Sequence, residues 1–381
     1  MTDVSSQAAA PAGAPAVSGL QRLLLLASRL WAWFFLALLI LFFVVAVPLY
    51  SQGVSFLTIR NSQNILVAIV PVLLLGLGQT FVIISAGIDL SVGWMMSLAS
   101  VLSALAIRGA YNSGVPLPLA VVIGFVAAIA GSAFVGFING VIIAKLKVPA
   151  FIVTLGSSFV VRGVALLMSE NTTVIGLPAG IRDYGNESLF YSITGDNGGF
   201  YVLHPPPLTT DMLRHMDRIL PWPVVITMVV VALCMFLLHR TQFGRHTYAI
   251  GGSLQAAIRA GIPVDWHVIR LYMLSASTAG VAGCLSTLRY TAGSAVIGDP
   301  LLLSSIAAVI IGGVSLFGGA GTVIGTVIGS LIIAVLTTGL VMLNVQAFWQ
   351  FIVVGIVVIL AVLIDQSRDL IIGRQHTTGP T

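Results

Sequence analysis

Long apolar runs separated by short polar breaks dominate this chain of 381 residues. A bilayer core about 30 Å thick requires about 20 apolar residues in helical form, and the chain offers such runs repeatedly. Runs such as 352–363 are continuously apolar, whereas the strands of a membrane barrel alternate apolar and polar residues. The pattern therefore predicts an all-α fold, a polytopic transmembrane helix bundle. About ten spans are predicted, near residues 30–50, 64–84, 91–107, 117–144, 150–168, 221–239, 268–288, 303–317, 321–342 and 348–365.

Composition and charge support the membrane assignment. Hydrophobic residues make up 58% of the chain and charged residues 8%, far from the values of soluble domains. With ten spans, ten basic residues fall on one side and six on the other, which places the first side and both termini in the cytoplasm. The net charge of +5 is then a topological bias and does not indicate a nucleic-acid partner. The ten are Arg22, Arg29, Lys145, Lys147, Arg240, Arg245, Arg259, Arg270, Arg368 and Arg374, and the six are Arg60, Arg108, Arg182, Arg214, Arg218 and Arg289.

The same pattern predicts the domain organisation. Residues 1–21 are rich in Ala, Pro and Ser and are expected to form a disordered cytoplasmic tail. A single transmembrane domain follows over 22–365, and 366–381 form a second cytoplasmic tail. The long connection 169–220 is expected on the periplasmic side, either as an ordered lid on the outer mouth or as a flexible surface loop.

A basic, glycine-punctuated interruption at 240–264 separates two apolar runs within a predicted cytoplasmic loop, 240–267. Its composition favours a short helix between spans that docks to a cytoplasmic partner. The chain lacks a phosphate-binding loop of the Gly-x4-Gly-Lys-Ser/Thr type, because its only lysines, Lys145 and Lys147, do not follow a glycine. The energy for any transport must therefore come from an ion gradient or from another subunit.

Small residues recur at a spacing of four in two of the predicted spans. This spacing places them on one helix face, where they let a second backbone approach closely. One set is Ala128, Ser132, Gly136 and Gly140, and the other is Gly321, Gly325 and Gly329.

Polar residues at membrane depth are the candidates for a translocation path or gate. Asp89 lies in a glycine-flanked break between apolar runs, where Asp89 or Ser91 could cap the following helix. The Asp89 carboxylate could instead carry protons in an ion-coupled transporter. Other polar side chains could hydrogen-bond a neutral solute or join helices to one another. These residues are Gln79, Thr80, Asn139, Thr154 and Arg162.

Four blocks of the sequence, in order, resemble the integral-membrane permeases of bacterial ABC sugar importers, the ribose/xylose/arabinose/galactoside type. They are 78–93 (GQTFVIISAGIDLSVG), 139–156 (NGVIIAKLKVPAFIVTLG) with Arg162-Gly163, 248–262 (YAIGGSLQAAIRAGI) and 306–321 (IAAVIIGGVSLFGGAG). The resemblance covers most of the chain, from about Asn64 to Asp365.

The resemblance implies that 251–261 is the coupling helix that docks into a groove of the ATPase. The importer motif Glu-Ala-Ala-x3-Gly stands here with Gln255 in place of the glutamate. Ala256 and Ala257 are expected to form the small contact face. Arg259 either pairs with an acidic ATPase residue or simply contributes to the charge bias. The predicted coupling residues are Gly251, Gly252, Gln255, Ala256, Ala257, Arg259 and Gly261.

The resemblance also implies the partners and the location. These are ABC ATPase subunits, which would bind ATP and Mg, a periplasmic or extracellular solute-binding protein, and a second permease in a homodimer or pair. The chain itself would be a non-catalytic subunit without a cofactor or metal, in contact with lipid in the bacterial inner membrane. The substrate class would be a sugar or similar neutral polyol. The alternatives from the residues alone are an ion-gradient-driven secondary transporter that uses Asp89 and a non-transporting membrane scaffold.

Overall fold

A computed structural model describes residues 19–51, 53–193, 199–203 and 216–373. Thirteen helices and three strands are present in these residues. They are α1 (Gly19–Tyr50), α2 (Ile59–Ile84), α3 (Val92–Asn112), α4 (Leu117–Lys145), α5 (Ala150–Met168), α6 (Ile181–Asn186), β1 (Ser188–Ile193), β2 (Gly199–Val202), β3 (Met216–Pro221), α7 (Trp222–Arg240), α8 (Gln242–Gly252), α9 (Leu254–Arg259), α10 (Val264–Tyr290), α11 (Leu301–Ile311), α12 (Val323–Met342) and α13 (Ala347–Gly373).

Eight helices in the described part of the chain are long and apolar enough to cross a membrane, which confirms the polytopic helical fold. They are α1, α2, α3, α4, α5, α7, α10 and α12. The predicted span at 303–317 is shorter than expected, because α11 ends at Ile311 and a glycine-rich turn follows it. The apolar stretch Ala347–Val357 of α13 is also short, although the helix itself continues to Gly373. The span predicted at 91–107 is a full helix, α3.

The ends of the chain differ from the predicted tails. Helix α1 begins at Gly19, inside the predicted tail 1–21, and α13 runs past Asp365 into the predicted tail 366–381. Residues 1–18 and 374–381, which make up the rest of both tails, lie outside the described residues.

Helix α10 lies at the centre of the bundle and packs on α2, α3 and α4. Close backbone approach makes this possible: a Cβ on Gly136 or Gly140 of α4 would lie within 2.6 Å of α10 backbone atoms, and a Cβ on Gly280 would lie 2.9 Å from the Ala128 carbonyl oxygen. In the second predicted stripe, Gly325 and Gly329 of α12 press against the backbone of α11. Both stripes therefore act in helix packing, except at Gly321, which lies in the turn before α12 and packs against the Val314 side chain.

A small cap, defined as α6 with the three strands, covers one end of the bundle. Its strands form an antiparallel sheet in the order β2-β1-β3, with Tyr191 opposite both Tyr201 and Arg218. These elements lie in the predicted connection 169–220, so the described part of that connection is ordered. Residues 194–198 and 204–215 of the connection lie outside the described residues. The sheet is minor, and the fold remains helical.

Asn186 joins the cap to the central helix. Its side-chain amide donates to the Arg289 carbonyl oxygen at 3.1 Å, and Arg289 donates back to Asn186 Oδ1 at 2.7 Å. Arg218 of β3 donates to the Asn186 carbonyl oxygen at 2.9 Å. The neighbouring Gly185 fits directly against the backbone at Leu288, where a Cβ would overlap it. The cap is thus fixed to the last turn of α10.

Candidate coupling site and buried polar cluster

The predicted coupling helix is α9, a helix of six residues between α8 and α10. Ser253 is its N-cap: the side-chain oxygen accepts a hydrogen bond from the Ala256 backbone N–H at 3.2 Å. Gly261 ends the helix with φ +76°, and the N–H of Ile262 donates to the Ala257 carbonyl oxygen at 3.1 Å. A glycine suits this left-handed position because it has no Cβ to strain.

The exposed face of α9 differs from the predicted contact face. Ala257 is only 2% exposed and packs toward its own chain, so the assignment of Ala257 to a contact face is corrected. Ala256 is exposed between two exposed apolar side chains, Leu254 (48%) and Ile258 (53%). Gln255 and Arg259 share the exposed surface, and Arg259 Nε donates to the Gln255 carbonyl oxygen at 3.3 Å. The surface is a small apolar patch with one positive charge.

A glycine joint connects the end of α8 to two other segments of the bundle. We define it as Gly251, Gly318 and Gly319 with the carbonyl group of Ile84. The N–H of Gly319 donates to the Ile84 oxygen at 2.8 Å, and a Cβ on Gly251 would overlap the same oxygen. Gly318 and Gly319 have φ of +86° and +72°. Three backbone segments therefore meet at the last residue of α2.

Tyr248 supports the glycine joint from α8. Its hydroxyl donates to the Gly321 carbonyl oxygen at 2.6 Å, in the turn between α11 and α12. Partial burial raises the pKa of the Tyr248 hydroxyl above its ordinary value of 10.0, so this donor keeps its proton at neutral pH. Gly252, the next residue after Gly251, has open space around its Cα.

Beyond Ile84 the chain leaves helical conformation over 85–91 and turns back into the bundle. Asp89 in this segment is fully buried and accepts hydrogen bonds on both carboxylate oxygens. Oδ1 accepts from the backbone N–H of Ser91 at 3.0 Å and from the Ser91 hydroxyl, and Oδ2 accepts from the Ser275 hydroxyl of α10 at 2.9 Å. The three donors are neutral, so among the described residues the Asp89 carboxyl group is stabilised through hydrogen bonds alone.

Side chains from three further helices complete this polar cluster. Gln79 of α2 donates to the Asp89 carbonyl oxygen, and Asn139 of α4 donates to the Ser91 hydroxyl at 3.2 Å. Thr154 of α5 donates to the Ala150 carbonyl oxygen of its own helix at 2.9 Å, and its hydroxyl lies 3.3 Å from the Ile88 carbonyl oxygen. Five of the seven polar residues predicted for the path or gate are thus brought together, and the non-helical segment is tied to α2, α4, α5 and α10.

Two of the predicted residues lie apart from the cluster. Thr80 pairs with Thr326 of α12 and donates to the Gly76 carbonyl oxygen at 2.8 Å, which makes it a contact between α2 and α12. Arg162 is exposed on α5, with its guanidinium 4.7 Å from the centre of the Trp94 ring. This distance is typical of a cation–π contact.

Sequence reasoning missed the contribution of α10 and of the α11–α12 turn. Ser275 is an ordinary serine in an apolar helix, and only the fold shows that it faces Asp89. Gly318 and Gly319 stand inside the block 306–321, so their glycine pair was visible. Their contact with the end of α2 was not, because it joins residues more than 200 positions apart.

Comparison with known proteins identifies the family. A family model described as "Branched-chain amino acid transport system / permease component" matches residues 61–362. The chain belongs to this permease family. The predicted permease identity is thereby confirmed, and so is a role in membrane transport as a subunit of a larger system.

Curated relatives resemble the chain over nearly their full length. The ribose import permease protein of Bacillus subtilis is 36% identical, covering 88% of this chain and 92% of its own. The xylose transport system permease protein of Haemophilus influenzae is 35% identical, covering 87% and 94%. The D-allose transport system permease protein of Escherichia coli is 33% identical, covering 88% and 90%. No solved structure matches the chain.

Proposed function

We propose that this permease forms the membrane path of an ATP-driven importer that carries a sugar or similar neutral polyol into a bacterial cell. Three relatives that are named for ribose, xylose and D-allose transport support the substrate class. The proposed partners are ABC ATPase subunits, which bind ATP and Mg, a solute-binding protein on the opposite side, and a second copy of the permease. Both termini and α9 lie on the cytoplasmic side of the inner membrane, in agreement with the bias of basic residues.

The glycine joint is the observation that carries this proposal. An exposed helix of six residues is useful as a coupling element only if its displacement reaches the membrane interior. Helix α9 is connected to the membrane interior in two ways. Helix α8, which precedes it, contacts the end of α2 at Ile84. Helix α10, which follows it, bears Ser275, which donates to Asp89. A movement of α9 thus acts on both sides of the non-helical segment 85–91.

The exposed face of α5 is proposed to line the path between two permease copies. Arg162 lies six residues before the end of α5 at Met168, about 9 Å along the helix. Its partner Trp94 lies farther from the end of its own helix, about 27 Å from Asn112 at the end of α3. The guanidinium therefore points back along α5, toward the interior of the bilayer. A charge at such depth is costly against lipid, so this face requires water or protein.

Asp89 is proposed to hold the bend rather than to carry an ion. Its carboxylate is fully used by Ser91 and Ser275, and the cluster reaches no acidic or histidine side chain among the described residues. The alternative of an ion-driven transporter gains no support from the family to which the chain belongs.

Co-purification with the ATPase tests the docking assignment. Ala256→Glu places a bulky negative charge in the middle of the exposed α9 surface, and we expect at least a tenfold loss of bound ATPase with normal insertion. Ser113→Glu, a change at an exposed turn after α3, is the matched control and retains binding. Unchanged ATPase binding by Ala256→Glu would exclude α9 as the docking element.

A transport assay separates the two classes of transporter. Proteoliposomes with the permease alone and a proton or sodium gradient are expected to accumulate no sugar. Uptake is expected only with the ATPase, ATP and Mg inside and the solute-binding protein outside. Accumulation by the permease alone would refute the ATP-driven mechanism.

A further inference from the structure

A half-open cavity of about 540 Å³ lies next to the coupling helix but takes no part in the glycine joint or the polar cluster. It is enclosed by the end of α7, by α8 and by the start of α10. We call it the basic pocket and define it by its polar residues Gln242, His246, His267 and Arg270, with Leu237 and Pro263 on its apolar side.

The basic pocket has an excess of positive charge. Arg270 supplies a guanidinium group, and Arg240 and Arg245 lie on the same segments of chain. Residues 237–270 contain one acidic side chain, Asp265, which is already engaged by Lys145 at 3.2 Å and Lys147 at 2.7 Å. Helix α2 packs on α8 through Phe81, an uncharged residue whose ring centre is 6.0 Å from that of Phe243. Among the described residues, no acidic side chain lines the pocket.

The floor of the pocket is held in one arrangement. The Thr247 hydroxyl lies 2.9 Å from the Phe243 carbonyl oxygen and 2.9 Å from His267 Nε2, so it connects α8 to α10. The His267 ring is 4.6 Å from the Phe243 ring and 5.8 Å from the His246 ring. Such a preformed floor lowers the entropy cost of binding a ligand.

The position of the pocket decides between kinds of anion. It opens where the apolar helix α7 ends and the apolar helix α10 begins, between Leu237 near the end of α7 and Pro263 before α10. A ligand that places its negative group among Arg270, His246 and Gln242 can keep its apolar part beside Leu237. We propose that the basic pocket binds the phosphate group of an anionic phospholipid from the adjacent leaflet.

Such a lipid would contact α8 and α10 together, the two helices that flank α9. Its binding would restrain the angle at which the coupling helix is held, so the composition of the membrane would regulate the coupling of the importer. The lipid site itself does not depend on the nature of the transported solute.

Lipid binding to the purified full chain tests the inference. After delipidation, we expect native mass spectrometry to show phosphatidylglycerol adducts at least fivefold more abundant than phosphatidylcholine adducts. Arg270→Gln and His246→Gln are expected to remove this preference. Arg259→Gln, which removes an equal charge from exposed α9, is the matched control and keeps it. Equal retention of both lipids by the wild-type chain, or full preference in Arg270→Gln with His246→Gln, would refute the site.

Thermal unfolding distinguishes a lipid from a free anion. We expect phosphatidylglycerol to raise the midpoint of unfolding of the wild-type chain in detergent and inorganic phosphate at millimolar concentration to leave it unchanged. Leu237→Trp, which fills the apolar side without altering charge, should weaken the lipid effect. An equal rise with inorganic phosphate would overturn the assignment to a lipid.

Discussion

The two ends of α10 are held by different kinds of contact. At the cap end, Asn186 and Arg289 exchange hydrogen bonds, and Gly185 lies directly against the backbone of Leu288. At the coupling end, α8 abuts α2 through backbone atoms that only glycine permits. Side-chain hydrogen bonds can lengthen or exchange with water, whereas closely packed backbones leave no room for adjustment. The comparison indicates that backbone contacts through glycine are rigid at both ends, and that only the hydrogen bonds between Asn186 and Arg289 at the cap end can yield.

The largest expected effect is at Gly251. A methyl group in Gly251→Ala would overlap the Ile84 oxygen and lie 2.6 Å from Gly319 N, so the glycine joint must separate. We expect at least a tenfold loss of ATP-driven uptake, measured in proteoliposomes and normalised to inserted protein. Gly252→Ala is the matched control, because nothing lies within 4 Å of its added Cβ, and it should keep most of the uptake. Equal uptake by both variants would show that the joint transmits nothing.

A smaller effect is expected midway along α10, at Ser275. Ser275→Ala leaves Asp89 Oδ2 without its donor, and an unsatisfied buried acceptor costs about 1–3 kcal/mol. Chemical denaturation in detergent should show this loss in the free energy of unfolding. The matched control is Ser132→Ala in α4, because the buried Ser132 hydroxyl has no hydrogen-bond partner among the described residues. A loss of similar size in Ser132→Ala would mean that cavity formation, and not the bond to Asp89, explains the effect.

At the cap end, Asn186→Ala removes the hydrogen bonds that connect α6 to Arg289. We expect a loss of about 2 kcal/mol, confined to the cap, since two hydrogen bonds are removed and a typical one contributes about 1 kcal/mol. Limited proteolysis should therefore cut the connection 169–220 faster while the membrane helices stay protected. Asn112→Ala, at an exposed residue of α3, should leave the rate unchanged. Global destabilisation by Asn186→Ala would contradict the view that the cap yields locally.

The smallest effect is expected at the surface beside the coupling helix. Lys147 pairs with Asp265 at 2.7 Å, but its side chain is 70% exposed. Exposed ion pairs contribute less than about 1 kcal/mol, so Lys147→Gln should change the free energy of unfolding little. A change above that limit would show that charge pairs, and not the glycines alone, hold the coupling end.

The sequence was sufficient for those features that depend on local pattern. Apolar length predicted the helices, and a spacing of four predicted the close packing of Gly136 and Gly140. It also placed the short helix between spans, although the exposure of individual residues was missed at Ala257. The exposure of Ala257 depends on how α9 packs on the bundle. A helix of six residues is too short for the periodicity of its sequence to predict this.

Long-range contacts account for most of what was missed. Asp89 was singled out because it interrupts an apolar run, yet Ser275 became its partner only through packing of α10 against the 85–91 segment. The apolar helix predicted at 303–317 is present but shorter, because Gly312 and Gly313 end α11 early while the hydropathy alone continues. Apolar length measures solubility in lipid, and it does not report where a helix stops.

The length of α10 has a consequence for the direction of signalling. Its 27 residues form one helix of about 40 Å, with the coupling helix immediately before it and the cap bonded to its last turn. If docking of the proposed ATPase at one end displaces this rod and changes the affinity of the cap for the proposed solute-binding protein, binding of that protein must change the affinity for the ATPase by the same factor. Each partner would then sense the other through a single helix, without either touching the solute.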